Sequence, residues 1–353
     1  MSQFPSRLAI VLITLALVTD SCSKKNDVVS PPAPSSPVVI TPPPDFGFKI
    51  VAYFPSYRDP AAVPDIKFRM TNVVNYAFFT LNASGTLVLN SPSTFNTVIA
   101  KAKANQAKIF MGINGAAADF KSMAAGADGR NNFVKQVMSN VRSFVLDGVD
   151  VDWEFPSTSD GTDVTFTALM KELSDSCHRD GKYYITAAIT AGKYAGSYRD
   201  AIKSDLFPYL DWFNIMAYDD FSTSVLYKQH SDYTLAQTCL NYWVTTRGMP
   251  KSKCVLGFPA YGRPSGITQT NTVLTYAGIL GQGGSPLSDS AIVSVSAWPS
   301  PYTIYYNGQP TIKKKTMLAK QMGNGVMMWE DGQDSHDGTS LLKAVCDTIG
   351  RSY

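Results

Sequence analysis

The chain has 353 residues, a length that fits two ordinary domains or one elaborated barrel. Hydrophobic residues make up 44% and aromatics 12%, which excludes a disordered polymer and supplies a large core. Charged residues are only 17% and the net charge is +3, too weak a field to suggest nucleic acid as a partner.

Arg7 precedes an apolar run over residues 8–18 that only Thr14 interrupts. A positive flank and an apolar core of that length predict a secretory signal over 1–21, because a membrane-spanning helix needs about 20 residues. No later run is long enough to cross a bilayer. Ser21-Cys22, a small residue before a cysteine just past the export core, resembles the lipobox of bacterial lipoproteins. That resemblance implies lipidation of Cys22 and anchoring at the bacterial outer membrane or cell surface; simple secretion is the alternative. Residues 28–45 hold seven prolines, so 22–45 is expected to be an extended spacer and 46–353 the folded part. Four further cysteines follow, Cys177, Cys239, Cys254 and Cys346, with no CxxC metal clip among them. Cys239 and Cys254 sit in apolar stretches and are expected to be buried thiols.

Eight short apolar runs rich in Val, Ile, Phe and Tyr recur at 49–54, 73–81, 108–113, 148–153, 183–189, 212–216, 254–258 and 325–329. Helical spacing appears between them, in Phe166, Leu169, Met170 and Leu173 and, more loosely, in Phe133, Val137, Val141 and Val145. Buried strands alternating with helices predict an α/β fold, a closed (β/α)8 TIM barrel. The one long irregular stretch, 264–310, is expected to be a small insertion between the seventh and eighth strands. Its aromatics could stack sugars or pack the loop. Lys313, Lys314 and Lys315 are expected on a solvated helix face.

The fourth run reads DGVDVDWEFP over 147–156. Strand alternation puts Asp150, Asp152 and Glu154 on one face and Val149, Val151 and Trp153 on the other. In a barrel the acidic face points inward, where desolvation and mutual repulsion raise at least one carboxyl pKa. Glu154, nearest the carboxyl end of the strand, is placed to act as a general acid. Asp147 is out of phase and is expected to anchor the strand. A surface acidic strand and a magnesium or calcium site are the alternatives. The spacing is no EF-hand, however, and no HExxH is present.

DGVDVDWEFP resembles the DxxDxDxE signature of family 18 glycoside hydrolases, the chitinase family. Further agreement lies in YAF (76–78), MAYD (216–219), LGFPAYGR (256–263) and GVMMWE (325–330). The resemblance implies hydrolysis of β-1,4 bonds in N-acetylglucosamine polymers by a secreted monomer without cofactor or metal. The substrate's own acetamide would be the nucleophile and Glu154 the acid/base. Asp152 would hold the acetamide N–H, Asp150 would share a proton with Asp152, and Tyr218 would orient the acetamide oxygen. Tyr53, Met216, Asp219, Arg263 and Trp329 would line the sugar, with Trp329 as its floor. Cleavage of the N-glycan chitobiose core and a non-catalytic lectin are the competing readings. The family's SxGG on the third strand is here Gly112-Ile113-Asn114-Gly115, so a hydrogen bond near the inner aspartates is expected to be missing. Few regular patterns in 264–310 suggest a shallow, endo-acting cleft.

Overall fold

The computed structural model describes residues 40–179 and 181–353. The expected signal, Cys22 and the linker up to residue 39 lie outside the described residues. The strands are β1 (Lys49–Pro55), β2 (Val73–Leu81), β3 (Leu87–Leu89), β4 (Lys108–Gly115), β5 (Gly148–Val151), β6 (Tyr184–Thr190), β7 (Trp212–Met216), β8 (Cys254–Pro259), β9 (Tyr261–Pro264), β10 (Leu274–Thr275), β11 (Ser290–Val293), β12 (Tyr302–Tyr305) and β13 (Gly325–Trp329). β1, β2, β4, β5, β6, β7, β8 and β13 pair in parallel in that order, and β13 closes back on β1. These are the eight expected strands of a (β/α)8 barrel. β3 adds to β2 as an antiparallel hairpin strand.

Apolar residues on both strand faces build two cores. Val51, Tyr53, Val73, Phe110, Trp212 and Val255 fill the barrel interior. The alternate positions, such as Ile50, Ala52, Ile109, Val149 and Leu256, pack under the helices. Helix Thr162–His178 buries Phe166, Leu169, Met170 and Leu173 as their spacing predicts. Helix Ala127–Ser143 buries Phe133, Val137 and Val141, but Val145 lies past its end at φ 53 and is 69% exposed. The helix ends one turn before the apolar spacing does. The chain enters the barrel from its N-terminal face, where Phe46 meets Tyr184 and Trp212 edge-on at 5.5 and 5.9 Å. Tyr184 Oη also donates to the Pro44 carbonyl at 2.7 Å.

The 264–310 insertion is more regular than its glycines and prolines suggest. β9 to β12 form an antiparallel sheet in the order β10-β9-β12-β11, beside a short helix Tyr276–Gly281. Its strands span only two to four residues, too few for alternation to show in sequence. The premise for a shallow, endo-acting cleft therefore fails. Tyr276, Tyr302 and Tyr306 are buried and donate to the carbonyls of Thr339, Thr272 and Ser285, so they pack the insertion.

A second expectation also fails. In helix Gln309–Met322, Lys313 and Lys314 are exposed but Lys315 is buried. Lys315 shares the inward face of Ile312 and Ala319, at helical spacing. Its Nζ donates to Ser231 O (2.7 Å), Ser231 Oγ (2.8 Å) and Asn307 Oδ1 (2.7 Å). Cys239, Cys254 and Cys346 are buried free thiols whose pKa burial pushes up to about 12. Cys177 is buried beside Met138 Sδ at 3.8 Å.

Candidate active site

β5 carries the acidic segment into the barrel. It stops at Val151, yet Asp152 N still donates to the Ile113 carbonyl at 2.8 Å, which keeps the segment aligned with β4. Trp153 turns outward and stacks on Phe120 at 5.0 Å, as core packing predicts. Asp147 Oδ2 accepts from Ile109 N at 2.9 Å and anchors the strand to its neighbour.

Asp150 is fully buried. It accepts from Tyr53 Oη (2.5 Å), Asn214 Nδ2 (2.9 Å) and the Thr186 hydroxyl. Burial raises its pKa, and those three donors pull against that rise. Thr186, Tyr53 and Asn214 supply donors to Asp150, while Asp152 Oδ1 is buried with no hydrogen-bond partner among the described residues. A Cβ on Gly112 would lie 2.5 Å from the Tyr76 carbonyl oxygen, so a serine there requires the backbone to shift.

Asp152 is buried, and Glu154 is exposed at the barrel mouth. Burial first, then the charges of Glu154 and Asp150, push the Asp152 pKa well up. Burial also raises Glu154, and the hydrogen bond from Asp152 opposes that rise. The two carboxyls are in hydrogen-bond contact, and the repulsion between them adds to the rise of Asp152. The charge of Asp150 acts on Asp152 as well. Three donors hold the Asp150 oxygens.

Tyr218 follows β7, and burial raises its pKa strongly, with the charges of Tyr261, Asp152, Asp219 and Glu154 adding to the rise. Among the described residues its hydroxyl meets only Met327 Sδ, at 3.9 Å, which leaves it able to donate to a ligand. Asp219 takes a positive φ of 63°. It accepts from Arg263 Nε (2.5 Å), Arg263 Nη2 (2.9 Å) and Tyr261 Oη (2.5 Å), with His230 Nδ1 3.5 Å behind it. Burial would raise Asp219, but His230, Arg263 and Tyr261 hold it well below the ordinary carboxylate value.

Trp329 ends β13. Phe78 stacks on it at 5.9 Å, and Tyr53 leans on it at 5.4 Å. The next residue, Glu330, is buried and tied to Arg58 at 2.5 and 2.8 Å, which fixes the strand end. Tyr53, Asp152, Glu154, Met216, Tyr218, Asp219 and Trp329 line one cavity of about 280 Å³. Arg263 joins through Asp219, and Asp150 lies behind through Tyr53. A second cavity of about 530 Å³ shares Glu154, Met216, Tyr218 and Asp219 and extends past Phe155, Tyr194 and Phe221. The cleft therefore runs to both sides of Glu154.

Sequence reasoning missed Thr186, Asn214, His230, Tyr261, Phe78 and Asn114. Thr186 and Asn214 were findable, because each sits in the inward phase of a barrel strand, two residues after Tyr184 and Trp212. His230 and Tyr261 carried no periodic signal, since only the folded loops bring them to Asp219.

A parallel barrel that sets two hydrogen-bonded carboxyls beside an aromatic floor at its C-terminal mouth has the architecture of a glycosidase. Residues 49–334 match the family model for glycosyl hydrolases family 18, and the chain belongs to that family. It is 27% identical to a class V chitinase of Arabidopsis thaliana, over 82% of this chain and 86% of that protein. It is 25% identical to chitotriosidase-1 of Mus musculus, over 82% and 71%. Among solved structures, a GH18 chitinase from the chitin utilization locus of Flavobacterium johnsoniae superposes with a TM-score of 0.68. It shares 28% identity, over 86% of this chain and 94% of that one. A Cycas revoluta GH18 chitinase holding (GlcNAc)3 shares the fold, with a TM-score of 0.72 at 22% identity over 86% and 100%.

Proposed function

We propose that this enzyme hydrolyses the β-1,4 bonds of chitin and chito-oligosaccharides with retention, the substrate's 2-acetamido group serving as nucleophile. One observation carries the mechanism: among the described residues, the cavity carboxylates besides Glu154 are its neighbour Asp152 and a tied Asp219. Asp219 is bound by Arg263 and Tyr261, and Asp150 is fully buried. A two-carboxylate retaining mechanism needs a second, unencumbered carboxylate. The names of the Arabidopsis, mouse and Flavobacterium relatives support the substrate class.

The acetamide oxygen attacks the anomeric carbon as Glu154 protonates the leaving glycosidic oxygen. In this reading Asp152, before substrate binds, donates its proton to Glu154. An acetamide N–H donating to Asp152 favours its ionised form, which shifts that proton to Glu154, where the acid needs it. Asp152 then offsets the positive charge of the oxazolinium ring. Tyr218 donates to the acetamide oxygen and holds it in line, and Trp329 supports the sugar from below. Glu154, now ionised, deprotonates the water that opens the ring. Tyr53 donates to Asp150 and holds it in place.

The test is hydrolysis of chito-oligosaccharides by wild type and Glu154→Gln. Loss of about 10²–10⁴ in kcat with binding retained is expected. Binding without hydrolysis by the wild type would leave a lectin. Cleavage confined to N-glycan cores would replace chitin as substrate.

For location we propose export and lipidation at Cys22, supported by the apolar run and the Ser21-Cys22 pair. Radiolabelled palmitate entering wild type but not Cys22→Ala checks it. We further propose that the enzyme acts as a monomer, which light scattering tests.

A further inference from the structure

Asn114 stands where the family pattern has glycine, near the mouth end of β4. Gly112 is level with Asp150 across the β4–β5 pair, so Asn114, two residues on and on the same face, is level with Asp152. Its side chain lines the same cavity as Asp152, Glu154 and Trp329. The amide is also oriented. Asn90 Nδ2 donates to Thr80 Oγ1 at 2.7 Å, and Thr80 Oγ1 donates to Asn114 Oδ1 at 3.0 Å. Because Asn90 occupies a Thr80 lone pair, the threonine proton is directed to Asn114 Oδ1, and the Asn114 NH2 group is left to the cavity. The carboxyls nearby are acceptors once ionised, so the NH2 is a fixed donor beside the reacting groups.

We infer that Asn114 is a substrate-binding residue whose Nδ2 donates to an acceptor oxygen, hydroxyl or acetamide carbonyl, of the N-acetylglucosamine unit at the cleavage site. Thr80 and Asn90 are positioning residues that act through it. The inference rests on the proposed chitin-hydrolase reading. A fixed donor at this level discriminates for sugars that present an oxygen there, because the polar group stays unpaired otherwise.

The experiment is calorimetric binding of chitotetraose in the Glu154→Gln background, so that no substrate turns over. Adding Asn114→Ala should weaken binding about three- to tenfold, the loss of one neutral hydrogen bond. Asn114→Asp keeps the shape and the Thr80 partner but replaces the donor with an acceptor, and should weaken binding at least as much. In otherwise wild-type enzyme it should also move the alkaline limb of kcat/KM upward, because a further anion beside Asp152 and Glu154 favours their protonated forms. Thr80→Val should weaken binding less than Asn114→Ala and add nothing to it in the double variant, which a purely structural role for Thr80 would not produce. Equal affinity of the parent, Asn114→Ala and Asn114→Asp proteins overturns this inference and leaves the chitinase reading standing. Failure of the Glu154→Gln parent to bind chitotetraose, with no hydrolysis by wild type, overturns that reading and this inference with it.

Discussion

Replacing Lys315 by methionine removes a cation from the protein interior. Burial pushes its ammonium from the ordinary 10.5 down to about 7, against a counter-pull from Asp232, Asp289 and Cys239. At about 1.4 kcal/mol per pH unit, that drop makes the protonated side chain cost the folded state about 5 kcal/mol. The unfolded chain keeps the proton up to pH 10.5 and the folded chain only to about 7. Between those values the unfolded state binds more protons, so stability rises with pH. Below that window both states are protonated and the cost is complete; above it both are neutral and the cost is gone. The stability of Lys315→Met relative to wild type should therefore fall by about 3 kcal/mol between about pH 6 and about pH 9.5. Methionine also leaves Ser231 O, Ser231 Oγ and Asn307 Oδ1 without their donor, an offset of about 1–3 kcal/mol that does not vary with pH. The variant should be the more stable protein at the acid end and lose that advantage at the alkaline end. Urea unfolding followed by tryptophan fluorescence at three pH values measures the difference. A difference constant with pH would refute the reasoning, since only titration of this one group makes it vary.

The remaining predictions concern the cleft and the strand behind it. The pH profile of kcat/KM should be bell-shaped, because activity needs one proton on the Asp152–Glu154 pair. Burial raises both groups, so the alkaline limb should lie above the ordinary glutamate value of 4.5. Asp152→Asn should move that limb to lower pH by removing the repulsion, and should cut kcat by about 100-fold; an unmoved limb would assign it to another group. Tyr218→Phe should lower kcat by about 100-fold with little change in chitotetraose affinity, as expected for a group that aligns the acetamide, and an unchanged kcat would remove Tyr218 from the mechanism. Gly112→Ser restores the family residue but should destabilise the fold by about 1–3 kcal/mol, because its Cβ would meet the Tyr76 carbonyl 2.5 Å away. Thermal unfolding checks that, and an unchanged midpoint would show that β2 can yield.

Much of this enzyme was legible from local pattern. Strand periodicity is a property of the chain itself, so DGVDVDWE had to place Asp150, Asp152 and Glu154 on one side and Trp153 on the other. Apolar runs of strand length separated by helical spacing led to the eight-stranded barrel for the same reason. Pattern failed where contacts decide. A lysine in a run of three looked solvated, yet the helix rotated Lys315 onto Ser231 and Asn307. The insertion looked irregular because its strands are too short to alternate visibly.

The hydrogen-bond partners of the carboxyls were also beyond the sequence. Asp150 is held by donors from three other strands, Tyr53, Thr186 and Asn214, 36 to 97 residues away from it in the chain. The same holds for the Thr80–Asn114 pairing across β2 and β4 and for Arg263 meeting Asp219. Sequence alone determined which residues share a face, because backbone geometry repeats every second residue in a strand. Tertiary structure alone decided which charges are buried, paired or free, because those depend on distances between strands remote in the chain.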